Sequence, residues 1–460
     1  MSTMGYEANP DLSLSAAIVQ SLVTAREQGL PSEVRAATRL HIADALGIGT
    51  AARSTDLARQ VAAAQTLLSG PGQCRLIGGG TAAPAAAAYI NASLIHILDY
   101  DDIHDVGRLH PAAVVLPAAL AAAELVGASD EALLDAVALA TELICRLGVI
   151  CSPKGEGPGS EWFLTQLLGY VAASVAAGLA LGLSNSELVS SIGLAYMQAA
   201  GGKQAGFGTG ATARAVYPAF AAQGGLQAAL LAQAGVTGPE GALDGAAGLF
   251  RIYMGAQLQP EQRAALLDFS TWHCCDVDIK PWPCCRLSHP YVAVALAAAK
   301  SCDIDNISRV HVSVNASAAR LCSPLPQRRR PVTLQDAKYS IPFMTAFALV
   351  RGAPTLNGLS GDVMSNKQVL AMASRVEVEE GLPDNPGHPL AVLTLLDKND
   401  QIGRYEFSIG DLHMDTESVR LKFLECFRYA GLTTAAAPAW DFAINGQIAK
   451  AVLYTGGVPD

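Results

Sequence analysis

A chain of 460 residues is too long for one ordinary hydrophobic core, so two or three domains are expected. A hydrophobic fraction of 51%, rich in Ala and Gly, favours closely packed helices, while an aromatic content of 6% argues against large ring-lined pockets. The net charge of -10 argues against a nucleic-acid partner, because phosphate backbones are bound by clusters of Lys and Arg; the one basic run, Arg328-Arg329-Arg330 before Pro331, reads as a solvated loop.

Residues 1–10 show neither a basic n-region nor an apolar h-region, so no signal peptide is expected. A cytoplasmic location and reduced thiols for the ten cysteines follow from that reading. From about residue 12 to 265 the pattern is helical. Pro31-Ser32-Glu33 opens one helix with Ser32 as N-cap, and Leu40, Ala43 and Leu46 continue its apolar face. Another begins at Ser129 or Asp130 and runs to Leu147. Residues 163–184 form 22 positions without a charge, long enough to cross a bilayer. Thr165, Gln166, Tyr170 and Ser174 inside that stretch, and the lack of a basic flank, favour a buried helix and no membrane partner. Ser184 and Glu187 open the next helix.

The character changes after Pro281. Residues 310–314 and 376–379 alternate as strands do, and 390–397 with 403–409 bracket Lys398-Asn399-Asp400-Gln401 as a hairpin. Helices are expected at 336–350 and 366–373 between the strands, and again at 416–429 and 440–454. The fold class is mainly α: a large all-helical domain over residues 1–270, to which 411–460 returns, plus a smaller α+β lid domain over 271–410.

The chemistry concentrates at residues 96–110, where four carboxylates and three histidines fall within fifteen positions between apolar, Ala-rich segments. Asp101-Asp102-Ile103-His104-Asp105 fits the DDxxD of class I terpene chemistry, but the nearest second metal motif, Asn185-Ser186-Glu187, lacks the spacing. His104-Asp105 is an HD dipeptide near His96 and His110, as in metal-dependent hydrolases, but no second HD supplies the remaining ligands. Cys274-Cys275 and Cys284-Cys285 lack the CxxC spacing of zinc sites. Metal-free acid–base catalysis by Asp99 and His110, each embedded in apolar sequence, is the third reading. Asp101, Asp102, His104 and Asp105 then cap a helix or shape and solvate the loop.

His96-Ile97-Leu98-Asp99-Tyr100-Asp101-Asp102, followed by Leu109-His110-Pro111, resembles the signature of the MmgE/PrpD family. That family includes 2-methylcitrate dehydratases, cis-aconitate decarboxylases and an iminodisuccinate epimerase. Arg39-Leu40-His41-Ile42-Ala43-Asp44, Ala221-Ala222-Gln223-Gly224-Gly225, Lys280-Pro281-Trp282-Pro283-Cys284-Cys285-Arg286 with His289-Pro290, and Asp336-Ala337-Lys338-Tyr339-Ser340 agree with it in order. The resemblance implies a site between the domains, a homodimer, and neither metal nor organic cofactor. Carried over by position, Asp99, His110 and Lys280 are site residues. Arg214 stands where the family places a lysine, and Cys285 where some decarboxylases have histidine. Tyr217 also departs from a common histidine, Ile103 from a threonine, and Phe163 from the histidine after Trp162.

Substrates of such a site carry several carboxylates and a C–H made acidic by one of them. Arg214, Lys280, Arg286 and, on the glycine loop, Lys203 are the cations expected to stabilise the charge that develops. His110, near its ordinary pKa, or Asp99 serves as base. Tyr339 is a candidate proton donor or a packed ring, and His289 a substrate contact or a structural histidine. Dehydration of a small hydroxy polycarboxylate such as 2-methylcitrate or citrate is the leading expectation. Epimerisation or decarboxylation of a di- or tricarboxylate, and an inactive binding homologue, are the alternatives.

Overall fold

The computed structural model describes residues 12–152, 160–206, 210–360, 363–383, 390–397, 402–407 and 412–459. Among the described residues of the first half run nine α-helices: α1 Leu14–Gln28, α2 Ser32–Ala52, α3 Asp56–Ser69, α4 Pro84–His96, α5 Ala112–Val126, α6 Asp130–Cys151, α7 Leu164–Leu181, α8 Asn185–Tyr196 and α9 Tyr217–Gln233. Their starts follow local chemistry. Ser129 accepts from the amide of Ala132 at the head of α6, and Ser184 with Glu187 forms a reciprocal capping box on α8. Ser32 differs from expectation. It is the first helical residue of α2, Pro31 occupies the cap position, and the Ser32 hydroxyl turns to Glu33.

The centre of this half is α4, α5, α7 and α9. Helix α7 is 89% buried inside the molecule, which accounts for its apolar composition on all sides. Small residues set how closely these helices approach. A Cβ on Gly225 would lie 2.5 Å from Ala173 Cβ and 2.6 Å from the backbone N of Ser174, and one on Gly169 would lie 3.0 Å from Val114 Cγ1. Three C-terminal helices, Thr416–Tyr429, Thr433–Ile444 and Ile448–Tyr454, bury Val419, Phe423, Phe427, Trp440 and Ile448 in the same core. The single helix expected over 440–454 is two, because Gly446 turns the chain at φ +75°.

A ribbon of two-residue strands, β1 Cys74–Arg75 with β2 Thr81–Ala82, lies at the edge of the helices. A second ribbon pairs β3 Ile103–His104 antiparallel with β4 Val277–Asp278 and delivers Lys280 to the loop after α4. Beyond it lies a four-stranded sheet, ordered β6-β5-β7-β8, of β5 Ile307–Val314, β6 Val376–Glu380, β7 Ala391–Asp397 and β8 Ile402–Phe407. Only the β5–β6 pair is parallel. Val310, Val312 and Val314 face a second core under the helices His289–Ala299 and Ile341–Arg351, while Arg309, His311 and Ser313 face away. The loop expected at 398–401 lies outside the described residues.

Two expectations for this unit change. The helix at 336–350 divides into Leu334–Lys338 and Ile341–Arg351, because the Ser340 side chain caps the amide of Phe343. The basic run is not a solvated loop. Arg328 is buried and donates to the carbonyls of Ser323 and Tyr339, and Arg329 donates to Val376 O, so both cations cap backbone groups.

Gly225→Ala is expected to cost about 1–3 kcal/mol of stability, because α7 must yield to the new methyl group. A chemical denaturation curve superimposable on wild type would show that the α7–α9 approach is less tight than these distances indicate.

Candidate active site

The loop after α4 carries the site. Asp99 follows the helix end with φ +53°, a left-handed conformation that non-glycine residues other than Asn and Asp seldom adopt. Its amide donates to His96 O at 2.9 Å. Its carboxylate, 2% exposed, accepts from Lys280 Nζ at 2.7 Å. Burial alone would raise the Asp99 pKa, but Lys280 and then His96 hold it below the ordinary carboxylate value. The same pairing outweighs the burial of Lys280 and raises its pKa. Both groups are therefore charged at neutral pH.

Beside this pair lies a second acidic unit. His96 Nδ1 and Asp101 Oδ2 are 2.7 Å apart, and His110 Nδ1 is 3.6 Å from the same carboxylate. Asp101 is buried, and against that burial His96 and His110 keep it ionised. His110 Nδ1 lies 2.7 Å from the backbone carbonyl of Asp102, an acceptor only, so Nδ1 carries the proton and Nε2 the lone pair. The backbone amide of His110 is fixed by Thr165 Oγ1 at 3.0 Å. Burial lowers the His110 pKa to about 4, with Asp101 opposing. The ring is thus neutral well into the acid range, further from its ordinary value than the sequence reading supposed.

Asp102 is buried too, and its carboxylate caps α5 through the amide of Ala112. The expectation that Asp101, Asp102 and His104 are solvated fails for all three: each is no more than 2% exposed. Asp105 alone of the four reaches solvent, and it pairs with Arg286 at 2.6 Å. That contact, with a second to Asp278 at 2.7 Å, holds Nε and Nη2 of Arg286, while Nη1 is buried without a hydrogen-bond partner among the described residues. His289 is likewise held by its own turn, Nε2 lying 3.2 Å from Cys284 O and the ring edge-on to Trp282.

Cations face the centre from the other side. The Arg214 guanidinium stacks 3.3 Å over the Tyr339 ring, which burial leaves as a neutral phenol. Lys203 is half-buried, and burial followed by the fields of Arg320, Arg214 and Arg108 lowers its pKa. Cys285 donates its amide to Lys338 O, and its thiol, pushed up by burial, remains protonated. Two departures from the family pattern meet here. Tyr217 and Phe163 stack at 4.3 Å, and Tyr217 also sets its ring against His96 at 5.0 Å, so aromatic packing replaces imidazole chemistry at positions 163 and 217.

Four residues near the centre did not stand out in the sequence. His96 and Asp101 were in view but unassigned. Lys338 and Lys422 looked like ordinary helical lysines, yet Lys338 Nζ donates to Leu98 O at 2.6 Å and Lys422 Nζ to Tyr100 O at 2.9 Å. The only signal for Lys338 was its place in Asp336-Ala337-Lys338-Tyr339-Ser340.

Among the described residues two groups could in principle hold a metal: His96 with Asp101 and His110, and His104 with His273 and Asp276. In the first, both Nδ1 atoms lie on oxygen acceptors within the protein. In the second, His104 Nδ1 accepts from the amide of Gly107 at 2.9 Å, which places the ring proton on Nε2 and removes that lone pair from coordination.

The chain matches the MmgE/PrpD N-terminal domain over residues 16–261 and the MmgE/PrpD C-terminal domain over residues 282–431, and it belongs to that family. It is 27% identical over 415 residues to a cis-aconitate decarboxylase of Aspergillus terreus, covering 85% of this chain and 81% of that protein. A cis-aconitate decarboxylase-like protein of Aspergillus oryzae is 25% identical over 86% of this chain and 85% of its own length. The human cis-aconitate decarboxylase is 27% identical over 66% of this chain and 62% of its own length. These relatives are carboxy-lyases. Lys280 falls between the two matched spans.

Asp101→Asn removes the charge that raises the His110 pKa. The ring, titrating at about 4 in the wild type, is expected to titrate lower still in the variant. Histidine-ring NMR across an acid titration measures this; an upward shift would mean that Asp101 does not act on His110.

Proposed function

We propose that this chain is a metal-independent lyase that removes water from a small hydroxy polycarboxylate of the 2-methylcitrate or citrate type. One observation carries the reading: a neutral His110 whose Nδ1 proton is fixed on Asp102 O, with no protein partner for Nε2 among the described residues, near the Lys280–Asp99 pair. Nε2 can take the proton α to a carboxylate. The charge that then spreads onto that carboxylate is met by preorganised cations, Arg214 and Lys203 with Lys280. Asp99, held ionised by Lys280, is not the acid. Its role is to keep Lys280 charged, and the ammonium gives its proton to the departing hydroxide, which is a far stronger base. The C–H and C–O bonds break, a C=C bond forms and water leaves; His110 returns its proton to Lys280. Asp99, Lys280 and Tyr339 are all nearly inaccessible in this closed arrangement, so substrate entry requires the smaller unit to swing away as a lid.

A second reading is favoured by the relatives, whose activity is decarboxylation of cis-aconitate. Here the C–C bond to a carboxylate breaks, CO2 leaves, and the electron pair is protonated at carbon. The same cations serve that chemistry. Purified protein assayed with 2-methylcitrate, citrate, cis-aconitate and iminodisuccinate separates the two: water loss supports the first, and CO2 release from cis-aconitate would put the second in its place. Activity abolished by EDTA would sink the metal-independent reading in either form.

His110→Ala is expected to lower kcat by roughly 100-fold or more, as for loss of a general base. Turnover within twofold of wild type would remove His110 from the mechanism. Arg214→Lys is expected mainly to raise KM, since bidentate carboxylate binding is lost while a positive charge stays. The kcat profile is expected to fall as pH drops through about 4, where His110 protonates and ceases to be a base. It also falls as pH rises through about 8, where Lys338 loses its charge.

A further inference from the structure

Three buried lysines from three distant parts of the chain meet at consecutive carbonyls. Lys338 Nζ donates to Leu98 O at 2.6 Å, Lys280 Nζ to Asp99 O at 3.2 Å, and Lys422 Nζ to Tyr100 O at 2.9 Å. They are 3%, 0% and 4% exposed, so each ammonium has given up its water for these contacts. Buried carbonyls need donors, and just past the end of α4 the backbone supplies none of its own. An ammonium in such a place is a costly donor unless the position demands a charge.

The three lysines differ in what balances them. Lys280 has the Asp99 carboxylate. Lys422 has Asp44 at 2.8 Å and lies 3.9 Å over the Tyr100 ring. Lys338 has no carboxylate within ion-pair distance among the described residues; the charged and titratable groups acting on it are Asp99, Cys284, Lys280 and Asp101. Its hydrogen bond goes to Leu98 O. Between the outer two carbonyls sits Asp99, at a backbone angle that an L-residue seldom takes without support.

We infer that Lys338 and Lys422 are positioning residues: by holding the carbonyls on either side of Asp99 they fix the left-handed turn that aims its carboxylate at Lys280. Lys338 comes from the short helix before Ser340 in the smaller unit, and Lys422 from the C-terminal helix Thr416–Tyr429. The active geometry of Asp99 therefore depends on both segments being docked. Swinging the smaller unit away withdraws the Lys338 donor, so opening the site also releases the turn. The inference rests on the reading of Asp99 as a site residue.

The test uses full-length Lys338→Met, Lys338→Arg and the pair Asp44→Asn/Lys422→Met, which leaves no orphaned carboxylate, with Asp99→Asn as control. The first measurement needs no substrate. In crystal structures of Lys338→Met and the double variant, Asp99 is expected to leave the left-handed region or to lose its contact with Lys280. An unchanged Asp99 in both overturns the inference. In the assay, Lys338→Met is expected to lower kcat tenfold or more per folded molecule at nearly constant KM, the pattern of a misaimed group rather than a weakened binding site. If kcat stays within twofold while Asp99→Asn is inactive, the positioning role is wrong and the reading of Asp99 stands. If Asp99→Asn itself is fully active, the functional reading falls and this inference with it. Should Lys338→Met not fold, Lys338→Arg decides. Arginine keeps its charge at high pH, so the alkaline limb near 8 is expected to move up by at least about one pH unit. A limb that does not move overturns the inference.

Discussion

A single ion pair constrains the rest of this structure: Lys280 with Asp99, 2.7 Å long and shut away from water. A lone ammonium or carboxylate in such a place costs several kcal/mol, and breaking an established buried pair costs about 3–5 kcal/mol. The pair is therefore workable only if both partners arrive in register. The two-residue ribbon of β3 and β4 brings Lys280 to the loop, and the left-handed angle at Asp99 turns the carboxylate to meet it. A second carboxylate, Asp101, is buried beside the pair, and His96, His110 and Lys280 keep it ionised against that burial.

The charges around the pair divide into two kinds. Arg286 pairs with both Asp105 and Asp278 at the edge, and Asp44 pairs with Lys422 underneath. Lys203 and Arg214 have no carboxylate of their own among the described residues, and their fields add to those of Arg108 and Arg320. Lys203 and Arg214 suit the several carboxylates of the substrate proposed above. With aromatic rings at Phe163 and Tyr217, the imidazole that packs against His96 is that of His110.

The legible parts of the sequence were those whose cause is local. Ser184 with Glu187 announces a helix start because both halves of its hydrogen-bond exchange lie within four residues. Asp99 and His110 stood out because charge or imidazole interrupts apolar sequence, and Lys280 because the motif Lys280 to Arg286 resembles the family's. Lys422 did not, since a lysine in the amphipathic stretch 416–429 has the pattern of a solvent-facing residue; its burial comes from Tyr100, more than 300 positions away. Lys338 was hidden for the same reason. The break at Ser340 was missed although Ser340 as a capping residue and Pro342 in the first turn of the second helix both mark a helix start. Arg328 read as solvated because nothing nearby in sequence shows that its partners are carbonyls of Ser323 and Tyr339. The burial of Asp101 and Asp102 was missed likewise: the partners of Asp101, His96 and His110, lie within the same cluster, but nothing local shows that the folded chain closes over them or that Asp102 caps the head of α5.

The convergence of lysines on the loop after α4 also imposes an order of assembly. During synthesis the loop emerges long before residues 280, 338 and 422, so the helices of the first half can pack around it while Leu98, Asp99 and Tyr100 still lack their donors. Closing contacts across such separations is slow, since chain entropy must be lost before any bond forms. The helical half is consequently an assembly platform that is unfinished at its centre and in the part of its core that the C-terminal helices fill. Competence arrives only with the last tenth of the chain, when Lys422 reaches the carbonyl of Tyr100.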